Sequence, residues 1–92
     1  MIASFANRKT KRFFAGEDIR DFRGFAQQAE RRLTILDNAE FLQDLRNLRS
    51  NRLELLSGDR AGQYSIRVNK QWRICFRWTG EHPEDVEIVD YH

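Results

Sequence analysis

The most constraining feature of this chain is a period of two that runs through its last forty residues. Leu53 and Leu55 alternate with Arg52 and Glu54. Tyr64, Ile66 and Val68 alternate with Ser65, Arg67 and Asn69. Trp72, Ile74, Phe76 and Trp78 alternate with Arg73, Cys75 and Arg77. Val86 and Ile88 alternate with Glu87 and Val89. Such alternation places every second side chain on one face of a strand. The segments between the runs are short, as at Asn69-Lys70-Gln71 and Gly80 to Pro83, so neighbouring strands are expected to be antiparallel. Ser57-Gly58-Asp59-Arg60-Ala61-Gly62 is a turn by composition.

Upstream the period changes to that of a helix. Ile2 to Phe5 reads as a short first strand and Asn7 to Phe14 as a short helical segment stopped by Gly16. Asp18 opens an amphipathic helix whose apolar positions are Ile19, Phe22, Phe25, Ala26, Ala29, Leu33 and Leu36. Asp37 is expected to cap a second helix, with Glu40 completing a capping-box-like start and Phe41, Leu42, Leu45 and Leu48 turned inward. The expected fold is α+β: an N-terminal strand and helices packed on one face of an antiparallel β-sheet, as one domain over residues 1–92. Ile66, Trp72, Ile74 and Phe76 form the packed face, which makes Trp72, Phe76 and Trp78 core residues rather than stacking platforms. Arg67, Arg73 and Arg77 fall on the opposite face.

That face is where the charge lies. The formal net charge is only +2, but residues 46–77 hold eight cations (Arg46, Arg49, Arg52, Arg60, Arg67, Lys70, Arg73, Arg77) against Glu54 and Asp59. Residues 78–92 hold five acids and no Lys or Arg. Thirteen of the sixteen cations are arginine, whose planar fork matches phosphate and stacks on bases. Two readings fit, a wet outer face with ordinary salt bridges or a phosphate-binding surface for RNA. A spanning segment is excluded, because no apolar run approaches the roughly 18 residues a membrane helix needs. The N-terminus shows no signal-peptide pattern, and the lone Cys75 fits a reducing, cytoplasmic setting. One cysteine and two histidines, His82 and His92, make a Cys/His metal site untenable. His82 reads as a solvated loop residue.

The chain ends Val89-Asp90-Tyr91-His92. Histidine moves protons near neutral pH, aspartate orients or accepts one, and tyrosine stacks on a base or donates a hydrogen bond. With Arg73 to offset charge on a phosphorane, these groups suffice for RNA cleavage by the neighbouring 2′-OH, with no metal or cofactor.

The stretch from Leu56 to Phe76, with Gly58-Asp59-Arg60, Tyr64-Ser65-Ile66 and Trp72-Arg73-Ile74, resembles the HigB toxins of the RelE/ParE superfamily, especially their GraT-like branch. The ending Asp90-Tyr91-His92, the opening Met1 to Phe5 and the segment Arg32 to Ala39 share the resemblance, which covers the whole chain. It implies a type II toxin that cleaves mRNA in the ribosomal A site. It also implies a HigA-like helix-turn-helix antitoxin and repression of operator DNA by the complex. Carried over, Arg73 stabilises the scissile phosphate, His92 transfers a proton, Asp90 orients or acts as base, and Tyr91 positions or stacks. Arg60, Arg67, Lys70 and Arg77 bind the RNA backbone or the ribosome.

One departure stands out. A branch of the family carries His and Lys where this chain has Glu54 and Ser57. Glu54 can serve as a base or stand as an exposed strand residue, and Asp59 can be a turn residue paired with an arginine. The loss of a basic pair implies a slower or more conditional nuclease. Two other readings remain open at this point: a ParE-like gyrase inhibitor, and a non-catalytic ribosome- or RNA-binding module. Neither requires the terminal histidine.

Overall fold

The computed structural model describes residues 1–91. Four strands form one antiparallel sheet in sequence order: β1 (Glu54–Leu55), β2 (Tyr64–Arg67), β3 (Trp72–Thr79) and β4 (His82–Asp90). Three helices precede them: α1 (Arg8–Phe14), α2 (Ala26–Asn38) and α3 (Leu42–Asn47). The α+β layout expected from the two periods is therefore the observed one.

The register fixes the two faces. Ile66 pairs with Ile74 and Ile74 with Ile88, so one row points to the helices. Ile66 and Ile74 are fully buried there beside Phe76 and Val86, against Ala29, Leu33 and Leu36 of α2. Phe25 lies 4.7 Å from Trp72 and Phe22 lies 5.9 Å from it, centroid to centroid. These rings join the helical layer to the start of β3, so Trp72 is a core side chain as its alternation implied. Phe76 and Trp78 also sit with the core.

The sheet departs from regularity once. Cys75 pairs with Glu87 but Arg77 pairs with Glu84, which leaves an extra residue on β4. Asp85 takes φ of 53° at that bulge. The bulge keeps Val86 in the core and Glu87 beside Cys75. The turn before β4 is tighter than expected: Thr79 pairs with His82 and Trp78 with Pro83, so both residues lie in the strand. Gly80, with φ of 62°, makes this two-residue connection possible.

The N-terminal half is less regular than its pattern. The segment from Ala3 to Ala6 lies along β4 through three backbone hydrogen bonds, yet forms only one parallel bridge among the described residues, Phe5 with Val86. The helix expected from Asp18 is split. A 3-10 turn covers Arg20–Phe25, and Phe25 at φ −140° separates it from α2. Asp18 is not a cap; its carboxylate accepts from Arg23 at 2.7 Å. Nor does Asp37 cap α3. It belongs to α2 and accepts the Ile2 amide at 2.8 Å. The cap of α3 comes from within, where the Asp44 carboxylate accepts the amides of Glu40 and Phe41 at 3.0 Å each. Phe41 and Leu48, expected inward, are exposed, and Leu45 alone of that set is fully buried. Six residues are too few turns to bury four apolar positions.

Two buried polar residues lock the layers. Asn7 caps α1 by accepting the Thr10 amide at 2.8 Å, and the Thr10 hydroxyl accepts the Ile88 amide of β4 at 3.2 Å. Asn51 accepts from Arg32 of α2 at 2.7 Å and donates to the Leu45 carbonyl at 3.0 Å. Asn51 thereby holds the segment that leads into Arg52 and β1.

Candidate active site

The arginine face begins with Arg73, paired with Arg67 across β2 and with Val89 across β4. A wet outer face and a phosphate-binding surface were the two expectations. Arg73 is buried, with 9% of its surface exposed. Its Nε donates to the Ser65 hydroxyl at 2.7 Å. One Nη donates to the Arg52 carbonyl at 2.6 Å and more weakly to the Ser65 carbonyl at 3.4 Å. All three acceptors are neutral. Among the described residues no carboxylate pairs with Arg73. A buried cation normally requires an opposite charge. Among the described residues this one is held by oxygen dipoles alone.

Arg67 faces Arg73 directly in the ladder, a pairing of like charges. Its Nε turns away to donate to the Asn69 carbonyl at 3.1 Å. The Arg73 guanidinium carbon lies 5.9 Å from the centre of the Tyr91 ring, at the outer limit of a cation–π contact. Tyr91 follows β4 by alternation onto the same face as Arg73, and its amide donates to the Gln71 carbonyl at 2.8 Å. Asp90 pairs with Trp72, and its carboxylate accepts from Gln71 Nε2 at 2.9 Å. Gln71 thus holds both residues to the β2–β3 turn. His92, the expected proton donor, lies outside the described residues.

Glu54 is exposed on β1 and pairs with Ser65, which pairs with Cys75, which pairs with Glu87. That row crosses the sheet beside the Arg67–Arg73–Val89 row, so Glu54 is one strand from the hydroxyl that anchors Arg73. Arg60 spans toward the far end of the row, with Nη1 at 3.2 Å from Glu87 and 3.1 Å from Gln63. Cys75 is fully buried beneath it. Burial pushes the Cys75 thiol pKa up; Arg60 and Arg73 pull it down, and Glu87 adds to the rise. Arg77 is half-buried at the bulge, 3.7 Å from Asp85. Lys70 is exposed in the β2–β3 turn. Asp59 is exposed in the 3-10 turn Gly58–Arg60 and pairs with no arginine among the described residues.

The fold therefore brings Arg73 and Tyr91 to one face at one end of β3, with Arg67 and Lys70 beside them, while Asp90, in register with Trp72, falls by alternation on the helix-facing side of that end. Arg60 and Arg77 lie toward the other end. Sequence reasoning missed Ser65 and the Arg52 carbonyl. Alternation already put Ser65 on the arginine face, but only the strand register shows that it meets Arg73. No group of three or more His, Cys, Asp or Glu that could hold a metal occurs among the described residues.

An antiparallel sheet backed by helices, with a buried arginine that meets no carboxylate among the described residues in the Trp-Arg-Ile segment of β3, gives the resemblance its structural frame. The family model for the RelE-like toxin of the type II toxin–antitoxin system HigB matches residues 3–92. The chain belongs to this family of HigB-like toxins. Toxin HigB-1 of Vibrio cholerae is 52% identical over 48 residues, 52% of this chain and 50% of that protein. Endoribonuclease HigB of Proteus vulgaris is 36% identical over 70 residues, 73% of this chain and 75% of that protein. The match to the Vibrio toxin thus spans half of its length. Among the described residues of this HigB-like chain, no helix is long and apolar enough to cross a membrane.

Proposed function

We propose that this HigB-like toxin is an endoribonuclease that inhibits translation by cutting mRNA in the ribosomal A site. One observation carries the reading: the Arg73 guanidinium is buried, oriented by neutral acceptors and paired with no carboxylate among the described residues. A phosphate entering beside Tyr91 supplies the missing negative charge. That charge grows as the phosphorane forms, so the interaction strengthens in the transition state. The name of the Proteus relative, an endoribonuclease, supports the same chemistry.

The reaction runs on the RNA's own nucleophile. The 2′-oxygen attacks the adjacent phosphorus as a carboxylate takes its proton. The bond to the 5′-oxygen breaks, and that oxygen leaves with a proton from the general acid. The products are a 2′,3′-cyclic phosphate and a 5′-hydroxyl. Asp90 orients from the strand end, and Glu54, on the Arg73 face of the sheet, is the candidate base. His92 donates to the leaving oxygen, and Tyr91 positions or stacks on a base. Arg67, Lys70, Arg60 and Arg77 track the RNA backbone or the ribosome.

The system reading adds a HigA-like helix-turn-helix antitoxin, binding of operator DNA through the complex, and action in the cytoplasm. The test is expression of wild type, Arg73→Ala and His92→Ala, with mRNA ends mapped from the cells. Cleavage and toxicity lost together in both variants support the nuclease. Toxicity that survives both changes, with uncut mRNA in wild-type cells, points instead to gyrase inhibition or to ribosome binding without catalysis.

A further inference from the structure

The oxygen atoms that hold Arg73 come from two places whose own geometry is unusual. Ser65 is fully buried, and its hydroxyl and carbonyl both face the guanidinium. Arg52 is exposed, but its backbone adopts φ 46° and ψ 54°, a left-handed conformation that a residue with a side chain seldom takes. The Arg52 amide donates to the Arg49 carbonyl, closing the preceding 3-10 turn. Asn51 pins that turn to α2 and α3. The next carbonyl, that of Arg52, is the one that accepts from Arg73 at 2.6 Å. Nε and one Nη are thereby occupied, and the other Nη donates to no described residue.

We infer that Ser65 and the left-handed Arg52 form a positioning clamp that fixes the plane of the Arg73 guanidinium and leaves one edge free for the scissile phosphate. This rests on the nuclease reading. Ser65 and Arg52 touch Arg73 and not the RNA through these atoms; they are positioning residues. Their effect is on geometry: a guanidinium free to rotate still attracts RNA but no longer meets the equatorial oxygens of the phosphorane in register. Loss of the clamp therefore lowers kcat and leaves KM nearly unchanged. Arg52 contributes its carbonyl rather than its side chain, so residues that tolerate the left-handed region can replace it. Asparagine tolerates that region, whereas β-branched valine does not.

The experiment pairs Arg52→Asn with Arg52→Val, which remove the same cation and differ in backbone tolerance, alongside Ser65→Ala and Ser65→Thr. Two readouts are taken on each folded protein: hydrogen exchange of the Arg73 Nε–H by NMR, and kcat and KM on ribosome-bound mRNA. The clamp predicts slow Nε–H exchange in wild type, Ser65→Thr and Arg52→Asn, and fast exchange in Ser65→Ala. Arg52→Val is expected to fall by about tenfold or more in kcat relative to Arg52→Asn, with KM within about twofold. Equal kcat in the two Arg52 variants overturns the inference, as does slow exchange retained in Ser65→Ala. Should Ser65→Ala not fold, the exposed Arg52 pair still decides it. The exchange readout needs no cleavage, so an inactive wild type would refute the nuclease and leave the clamp to be judged separately.

Discussion

The Arg73 guanidinium carbon stands 5.9 Å from the centre of the Tyr91 ring, which joins the residue just past β4 to the start of β3. The ring face is negative, so it favours the cation without neutralising it. Tyr91→Phe keeps this contact and is expected to retain most of the cleavage rate. Tyr91→Ala removes it and should lose about 0.5–1 kcal/mol of stability together with most of the activity. Urea melts and single-turnover cleavage of the two variants check this; equal behaviour would remove the ring from the account.

Arg73→Lys is expected to fail nearly as fully as Arg73→Ala. A lysine ammonium cannot donate to Ser65 and the Arg52 carbonyl in one plane while presenting a second edge. Cleavage should drop by about 10²–10³-fold in both. Each leaves the buried Ser65 hydroxyl short of a partner, which costs about 1–3 kcal/mol. A lysine variant with wild-type kcat would show that a point charge suffices.

The Thr10 hydroxyl is the acceptor for the Ile88 amide of β4. Thr10→Val preserves shape and removes the acceptor, at a cost of about 1–3 kcal/mol. Thr10→Ser keeps it and should lie within about 1 kcal/mol of wild type. Denaturant midpoints of the two variants distinguish an acceptor from a packing role.

Cys75 gives a pH-dependent prediction. Burial raises its thiol pKa in the folded chain above the unfolded value, so the neutral thiol favours folding at low and neutral pH. That contribution falls away as pH rises past the ordinary thiol value of about 8.5 toward the folded one. Wild type should lose more stability than Cys75→Ala between neutral and alkaline pH. Alkylation of Cys75 in the native protein should proceed only as fast as the fold opens. A parallel pH slope in the two proteins would contradict the burial argument.

Glu54 and Ser57 are the positions where the family resemblance implies a basic pair in other members. Glu54→His with Ser57→Lys adds cations and a stronger proton-transfer group, and cleavage of ribosome-bound mRNA should quicken by about tenfold or more. An unchanged rate would place the proton transfer elsewhere.

Much of this molecule could be read from alternation. The inward row Ile66, Ile74 and Phe76 and the outward row Ser65, Arg67 and Arg73 follow from period two, because a buried face leaves a strand only one register. The helical layer was harder. Asp37 looked like a cap, but a tertiary partner, the Ile2 amide, claimed it, and Asp18, expected to open a helix, pairs with Arg23 five residues on. A cap signal cannot show which longer-range donor competes for the same carboxylate. The condition of Arg73 was the least legible. Alternation gave its face correctly, but whether that face is wet depends on the loop before β1, whose left-handed Arg52 carries no glycine to announce it.

The central claim is that Arg73 serves an attack by the RNA's own 2′-hydroxyl. The most direct test is single-turnover cleavage of ribosome-bound mRNA that carries one 2′-deoxy nucleotide at the cut position. The account predicts that wild-type protein cuts the all-ribose mRNA to a 2′,3′-cyclic phosphate and leaves the 2′-deoxy mRNA intact at that site. Equal cutting of both substrates would contradict it.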